Sequence, residues 1–411
     1  ATVHSMVEGA KPLANATVLI QGNRVSAVGS TNSIRIPAGT NVIDLGGRFI
    51  MPGFIDTHAH FQVMRDVLDD SAPPLFANLA YGVTTAIDVQ PWTVDVLAYQ
   101  DLIDAGMMIG PRVLSTGPGV FSNNAFKSLT QAENVLRRYR DHYGVHHLKA
   151  YLSGNRQQRQ WLVQAAAALK LMPTTEGGLD MKLDLTHAID GFSGNEHNLP
   201  VLELHDDVVQ LMAQSRIAYT PTLIVSYGGH WGEGWFYSRE SPLDDPKLAR
   251  FTPYHEIASR ALRGPWAHDK EHVFQQFARQ ANKIVNAGGR VGIGAHGQLQ
   301  GLGYHWEMWA LASGGMSNQN VLTAATRVGA QILGIEEDLG TIEPGKLADL
   351  VVLDADPLLD LRNTVGIHKV IKNGEVFDAA TLDREWPSSI LLPDQWWWHT
   401  EPAGPSGSGG L

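Results

Sequence analysis

Two histidines stand one residue apart at the end of an apolar run, Phe54-Ile55-Asp56-Thr57-His58-Ala59-His60. Side chains alternate faces along a strand, so both imidazoles point the same way. Neutral imidazoles placed like this can grip one divalent metal, usually zinc, while the strand backbone holds them in position. An isolated His-x-His is more simply a pair of partly exposed histidines. Here Met51-Pro52-Gly53 precedes it and further candidate ligands follow at regular intervals. The chain has no cysteine, which rules out thiolate zinc sites, disulfides and a cysteine nucleophile. Any metal must therefore rest on histidine, carboxylate or a modified lysine.

Ligands so far apart in sequence need elements that bring them together. Strand candidates fall at Phe54–His60, Val83–Val89, Arg112–Thr116, His147–Leu152, Met172–Glu176, Asn195–His197, Ala218–Val225 and Arg290–His296. Amphipathic segments separate them. Arg159–Leu171, for example, puts Leu162, Ala165, Ala166 and Leu169 on one stripe. Eight strand–helix units over about 250 residues predict a (β/α)8 TIM barrel. A doubly wound sheet is the runner-up, but no Gly-rich nucleotide fingerprint opens a helix.

Both ends read as β-structure. Thr17–Gln21 and Arg24–Val28 flank a Gly22-Asn23 turn, and Ala348–Leu353 leads to a hairpin around Asn373-Gly374. The expected architecture is α/β: a barrel over 51–340, a discontinuous small β-sandwich domain from 1–50 and 341–385, and a tail over 386–411. Tyr227–Trp266, about forty residues rich in Gly, Pro and aromatics, is read as a lid over the barrel mouth. In the tail, Trp396-Trp397-Trp398 is expected to pack on the body, and Gly404–Leu411 to be a flexible end.

At 411 residues the chain exceeds one ordinary domain but suits a large barrel with an accessory domain. Its net charge of −11 and lack of a basic run argue against nucleic acid and anionic membrane surfaces. The longest apolar runs fall short of a membrane span. No targeting segment is visible after Ala1, which leaves cytoplasmic and exported locations both open.

Barrel active sites lie at the C-terminal ends of the strands. The polar residues there are His58 and His60 on the first strand, Lys149 on the fourth, Glu176 on the fifth, His197 on the sixth and His296 on the eighth. These six ionisable groups converge on one rim without any adjustment of register.

Met51–His60, Gly82-Val83-Thr84-Thr85 and Pro344–Val351 together resemble the ordered motifs of the amidohydrolase superfamily. The likeness is to the imidazolonepropionase/prolidase-like branch, and within it to the domain found with TolB-like β-propellers. It spans roughly residues 2–376. It implies that Lys149 matches a lysine carboxylated by CO2 to bridge two metals, and that His197 matches the sixth-strand ligand. Two positions depart from the pattern. Glu176 stands where the fifth-strand histidine usually falls, and His296 where an aspartate commonly takes a proton from the nucleophilic water. Glu176 could bridge metals itself, leaving Lys149 unmodified. His296 is either a general base or a ligand.

The expected activity is hydrolysis of an amide in an N-acyl amino acid, dipeptide or cyclic amide, by hydroxide on one or two zinc, manganese or cobalt ions. Lactone, carbamate or phosphoester hydrolysis on the same centre is the rival chemistry, and a non-catalytic binding module the rival class. Tyr151 and Tyr227 at the rim, His230 in the lid, and His305 and Glu307 after strand eight are candidates for substrate contact. His187 is read as a surface histidine. The resemblance further implies a small-molecule substrate, self-association and a propeller preceding this chain in a longer parent.

Overall fold

The computed structural model describes residues 1–63, 67–121, 124–262 and 267–399. Trp266, the last residue of the expected lid, and the Gly404–Leu411 end lie outside the described residues.

All eight expected strands form, the sixth shifted by one residue and the others shorter than expected. They are β1 (Phe54–Ala59), β2 (Val83–Asp88), β3 (Arg112–Ser115), β4 (His147–Lys149), β5 (Met172–Thr175), β6 (Gly194–Glu196), β7 (Ala218–Thr220) and β8 (Arg290–Val291). Every residue of β1 and β2 is buried, as parallel strands covered on both faces must be. The pairing is parallel throughout, with β1–β2–β3 in one sheet and β4–β5–β6–β7–β8 in a second. Strand order is sequential in both, without the reversal that marks a doubly wound sheet.

No continuous ladder closes the two sheets into one among the described residues. Backbone hydrogen bonds nevertheless cross both seams. Val120 N–H donates to the Lys149 carbonyl at 2.8 Å, Thr57 N–H to Ile293 at 2.8 Å, and His296 N–H to His58 at 2.7 Å. The segment expected to be strand through His296 leaves regular structure after Val291. Close approach to β1 and β7 explains its glycines. A Cβ on Gly294 would sit 2.7 Å from His58 Cβ and 2.3 Å from Thr220 Cγ2.

Helices cover the outside of the sheets. Arg156–Leu169 begins with an Asn155/Gln158 capping box and buries Leu162, Ala165, Ala166 and Leu169, the stripe read from sequence.

The chain ends meet in a six-stranded sheet ordered Thr2–Val3, Phe49–Pro52, Leu350–Leu353, Ile367–Lys372, Glu375–Asp378, Arg384–Trp386. One face, with Ile50, Leu350, Val352 and Ile371, packs on the Ala16–Gln21/Arg24–Ser30 hairpin. Met51, Val351 and Val370, on alternate positions, join the main core instead.

The expected lid contains short helices, Gly232–Tyr237, Pro246–Phe251 and Tyr254–Ala261. The tail tryptophans lie on it. Trp397 Nε1–H donates to the Arg250 carbonyl at 3.0 Å, as does Trp398 Nε1–H at 2.6 Å, and Trp396 stacks on His255. No described helix is long and apolar enough to cross a membrane.

Candidate metal centre

The strand ends deliver four imidazoles to one place. Ring centroids lie 5.2 Å apart for His58–His60, 4.9 Å for His58–His197, 4.6 Å for His60–His296 and 5.2 Å for His197–His296. The Nε2 atoms of His58 and His60 are 3.4 Å apart, so the shared face expected from strand alternation is the observed one. His58, His60 and His296 form a group whose ligand atoms all lie within 4.8 Å of one another, close enough to hold one ion. His197 and His296 take left-handed backbone conformations, φ 64° and 59°. Such strain in non-glycine residues is characteristic of functional sites.

Beside the histidines lies a buried lysine with two carboxylates. Lys149 Nζ donates to Glu176 Oε2 at 2.7 Å and also to Glu196 Oε2. Burial opposes the Lys149 charge, but Glu176 and Glu196 more than offset it and raise its pKa. Glu176 Oε2 is 3.5 Å from His197 Nε2. Burial and the neighbouring cations hold His58 and His60 well below the usual imidazole range. Burial pushes His197 down to about 3 and His296 to about 4. All four are therefore neutral at physiological pH, the form that binds a metal. The donor set, imidazoles with a nearby carboxylate, suits zinc or a comparable borderline cation.

All six residues expected at the strand ends are thus brought together. Sequence reasoning missed Glu196, which also accepts from Thr174 Oγ1 at 2.8 Å and lies 3.4 Å from His58 Nδ1. It missed Asp88 as well, 4.0 Å from His60 Nδ1. Asp56 accepts the backbone N–H groups of His58 (2.9 Å) and Ala295 (3.2 Å), fastening the two ligand-bearing segments together. Burial raises both aspartates to about 7. A signal for Asp56 and Asp88 was available, since both are carboxylates inside otherwise apolar strand runs.

Tyr227 stacks on His197 with centroids 5.2 Å apart, and Tyr151 stands at the rim against Phe121. His230 lies in the lid beside His272, centroids 5.9 Å apart. Three expectations need correction. His305 is fully buried, its Nδ1 2.9 Å from Thr364 Oγ1 and its Nε2 2.9 Å from the Tyr81 carbonyl, which leaves no atom for substrate. Glu307, also fully buried, accepts the Leu223 and Ile224 N–H groups at 2.8 and 2.9 Å and braces the turn after β7. His187, expected at the surface, is buried against Phe192.

Strand-end histidines on parallel sheets wrapped by helices define a class, the metal-dependent hydrolases of the amidohydrolase type. Residues 49–377 match the model of the Amidohydrolase family, and the chain belongs to that family: it is a hydrolase acting on carbon–nitrogen bonds. It is 24% identical over 387 residues to 5-methylthioadenosine/S-adenosylhomocysteine deaminase of Symbiobacterium thermophilum, spanning 86% of this chain and 84% of the relative. A shorter match, 44% identical over 61 residues and 14% of each chain, is to imidazolonepropionase of Streptomyces avermitilis. Similar folds include a Xaa-Pro dipeptidase with bound methionine in its active site, at 19% identity and TM-score 0.70 over 92% of this chain and 98% of that one. Molinate hydrolase is another, at 16% identity and TM-score 0.73 over 96% and 97%.

Proposed function

We propose that this chain hydrolyses an amide in an N-acyl amino acid, a dipeptide or a cyclic amide, at a divalent metal, zinc foremost. The observation that carries the reading is the meeting of four neutral imidazoles, His58 and His197 buried and His60 and His296 partly exposed, at one strand-end rim. The Xaa-Pro dipeptidase among its structural neighbours makes dipeptides a natural first substrate class. The two parallel sheets are read as two arcs of one (β/α)8 barrel over 51–340. Residues 1–50 and 341–385 are read as one structural β-sandwich domain.

His58, His60 and His296 are assigned to one ion, with His197 adjoining them. When bound, such ions lower the pKa of a water and polarise a carbonyl. The protein's own groups do the rest. Glu196 and Asp88 stand on the Nδ1 sides of His58 and His60, 3.4 and 4.0 Å away, and the Nε2 atoms face each other. With His296 among the ligands, Glu176 is assigned to take the proton of the attacking water and to pass it to the leaving amide nitrogen as the C–N bond breaks. Glu176 is the more accessible of the two carboxylates on Lys149, its side chain 13% exposed against 4% for Glu196. The Tyr227 phenol, beside Glu176, can donate to the substrate carbonyl. Lys149 is read as the unmodified ammonium. A carbamate there would set a third anion against Glu176 and Glu196.

Chelation should abolish amide hydrolysis, and zinc, manganese or cobalt should restore it, measured on N-acyl amino acids and Xaa-Pro dipeptides. Undiminished turnover by protein shown to be metal-free would refute the reading. Lactone, carbamate and phosphoester substrates in the same panel test the rival chemistry.

A further inference from the structure

Aromatic rings in the loops that follow the strands lie between the surface and the histidine cluster. At the outside, Trp92 in the loop after β2 is 70% exposed. It stacks on Phe121 in the loop after β3, centroids 6.2 Å apart and planes inclined by 11°. Phe121 meets Tyr151, in the loop after β4, edge to face at 6.2 Å. Tyr151 lies within electrostatic range of Tyr227, which stacks on the candidate ligand His197. The loops after β2, β3 and β4 thus supply one run of touching rings, and the loop after β7 sets Tyr227 against His197.

The wall is held in place by the backbone that holds the site. Val120, next to Phe121, donates its N–H to the carbonyl of Lys149, and Phe121 N–H donates to Asn124 Oδ1 at 2.8 Å. Gly119 lets the loop pass close to its neighbours, since a Cβ there would lie 2.8 Å from Gln90 Cγ and 2.9 Å from the Phe121 ring. Packing does not require an indole as exposed as Trp92. Leu152 and Leu179, on the loops after β4 and β5, are also exposed, at 43% and 74%. Exposed apolar side chains at the mouth of a site mark where an apolar part of a ligand rests.

We propose that Trp92 and Phe121 determine specificity by holding a planar aromatic acyl group, so that the preferred substrate is an aryl-acyl amide, not a small aliphatic one. The proposal rests on the amide-hydrolase reading of the same centre. A flat ring slides against the Trp92–Phe121 stack while its amide carbonyl reaches the histidines past Tyr151 and Tyr227.

The test uses the zinc-loaded full chain with two probes, N-(2-naphthoyl)glycine and N-acetylglycine. The wild type should favour the naphthoyl probe in kcat/KM. Trp92→Ala and Phe121→Leu should each lower that preference about tenfold, mostly through KM, with zinc content unchanged. An undiminished preference in both variants overturns the proposal. If neither probe is hydrolysed, titration calorimetry separates the two failures. Naphthoylglycine binding that weakens about tenfold in Trp92→Ala supports the aromatic wall even though the hydrolase reading has failed. Absent or unweakened binding overturns it. A change in oligomeric mass in Trp92→Ala without any change in probe affinity also overturns it, by assigning the rim to self-association.

Discussion

Histidine and carboxylate meet at the strand ends and again on the helix Leu302–Ser313, and burial does not separate His58 from His305. His58 at the strand ends is 1% exposed, and His305 on the helix Leu302–Ser313 is 0% exposed. What differs is the company of the ring nitrogens. Each nitrogen of His305 has an oxygen at 2.9 Å, and both oxygens of Glu307 take a backbone N–H. At the strand ends nitrogen faces nitrogen, as with the 3.4 Å between His58 and His60 Nε2. Two neutral imidazoles meeting that way gain little from each other, whereas a cation between them satisfies both. A buried histidine with paired nitrogens is a brace, and one whose nitrogens converge is a candidate ligand.

The largest test of that contrast removes a converging nitrogen. His60→Ala or His296→Ala should lose bound metal and cut amide hydrolysis by about a thousandfold or more, read by metal analysis and kcat/KM. Full metal content in His296→Ala would remove it from the ligand group.

Next comes Glu196→Gln, which keeps the shape but weakens the hold on both Lys149 and His58. Activity or metal affinity should drop by about 10- to 100-fold, measured by competition with a chromophoric chelator.

The brace should behave otherwise. His305→Ala should cost about 2–4 kcal/mol of stability in denaturant unfolding, with metal per folded molecule unchanged. Loss of metal in that variant would erase the distinction between the two groups.

The smallest effect is a pH dependence. Burial raises Glu307 to about 8, so the native state holds its proton over a range where the unfolded chain has released it. Its contribution is most favourable below the ordinary glutamate pKa and is lost as pH rises through about 8. The thermal midpoint of the wild type relative to Glu307→Gln should therefore fall between pH 5 and pH 8.5. A difference independent of pH would show that the carboxylate is ionised throughout.

Much of this was legible in the residues alone. Strands such as β1 and β2 stood out because parallel strands buried on both faces are mostly apolar runs, and the polar residues closing them stood out for the same reason, whereas β6, Gly-Asn-Glu, is buried without being apolar. The Asn373-Gly374 hairpin was equally plain, since both residues adopt positive φ, 51° and 77°. Glu196 was hidden by the same alternation that revealed His58 and His60. Period two sends residues 196 and 197 to opposite faces, but the left-handed turn at His197 lets both enter the site. His305 and Glu307 were misassigned on sequence proximity to strand eight. They belong to a helix, whose period turns one toward Thr364 and the other toward the turn after β7.

By itself the sequence determined which side chains could ligate and that they close successive strands, because ligand type and hydrophobic period are local properties. Tertiary structure alone decided which nitrogens and carboxylates already have partners and which converge without them. That depends on contacts such as Thr364 with His305, or Lys149 with Glu196, between groups that only the folded chain brings within reach.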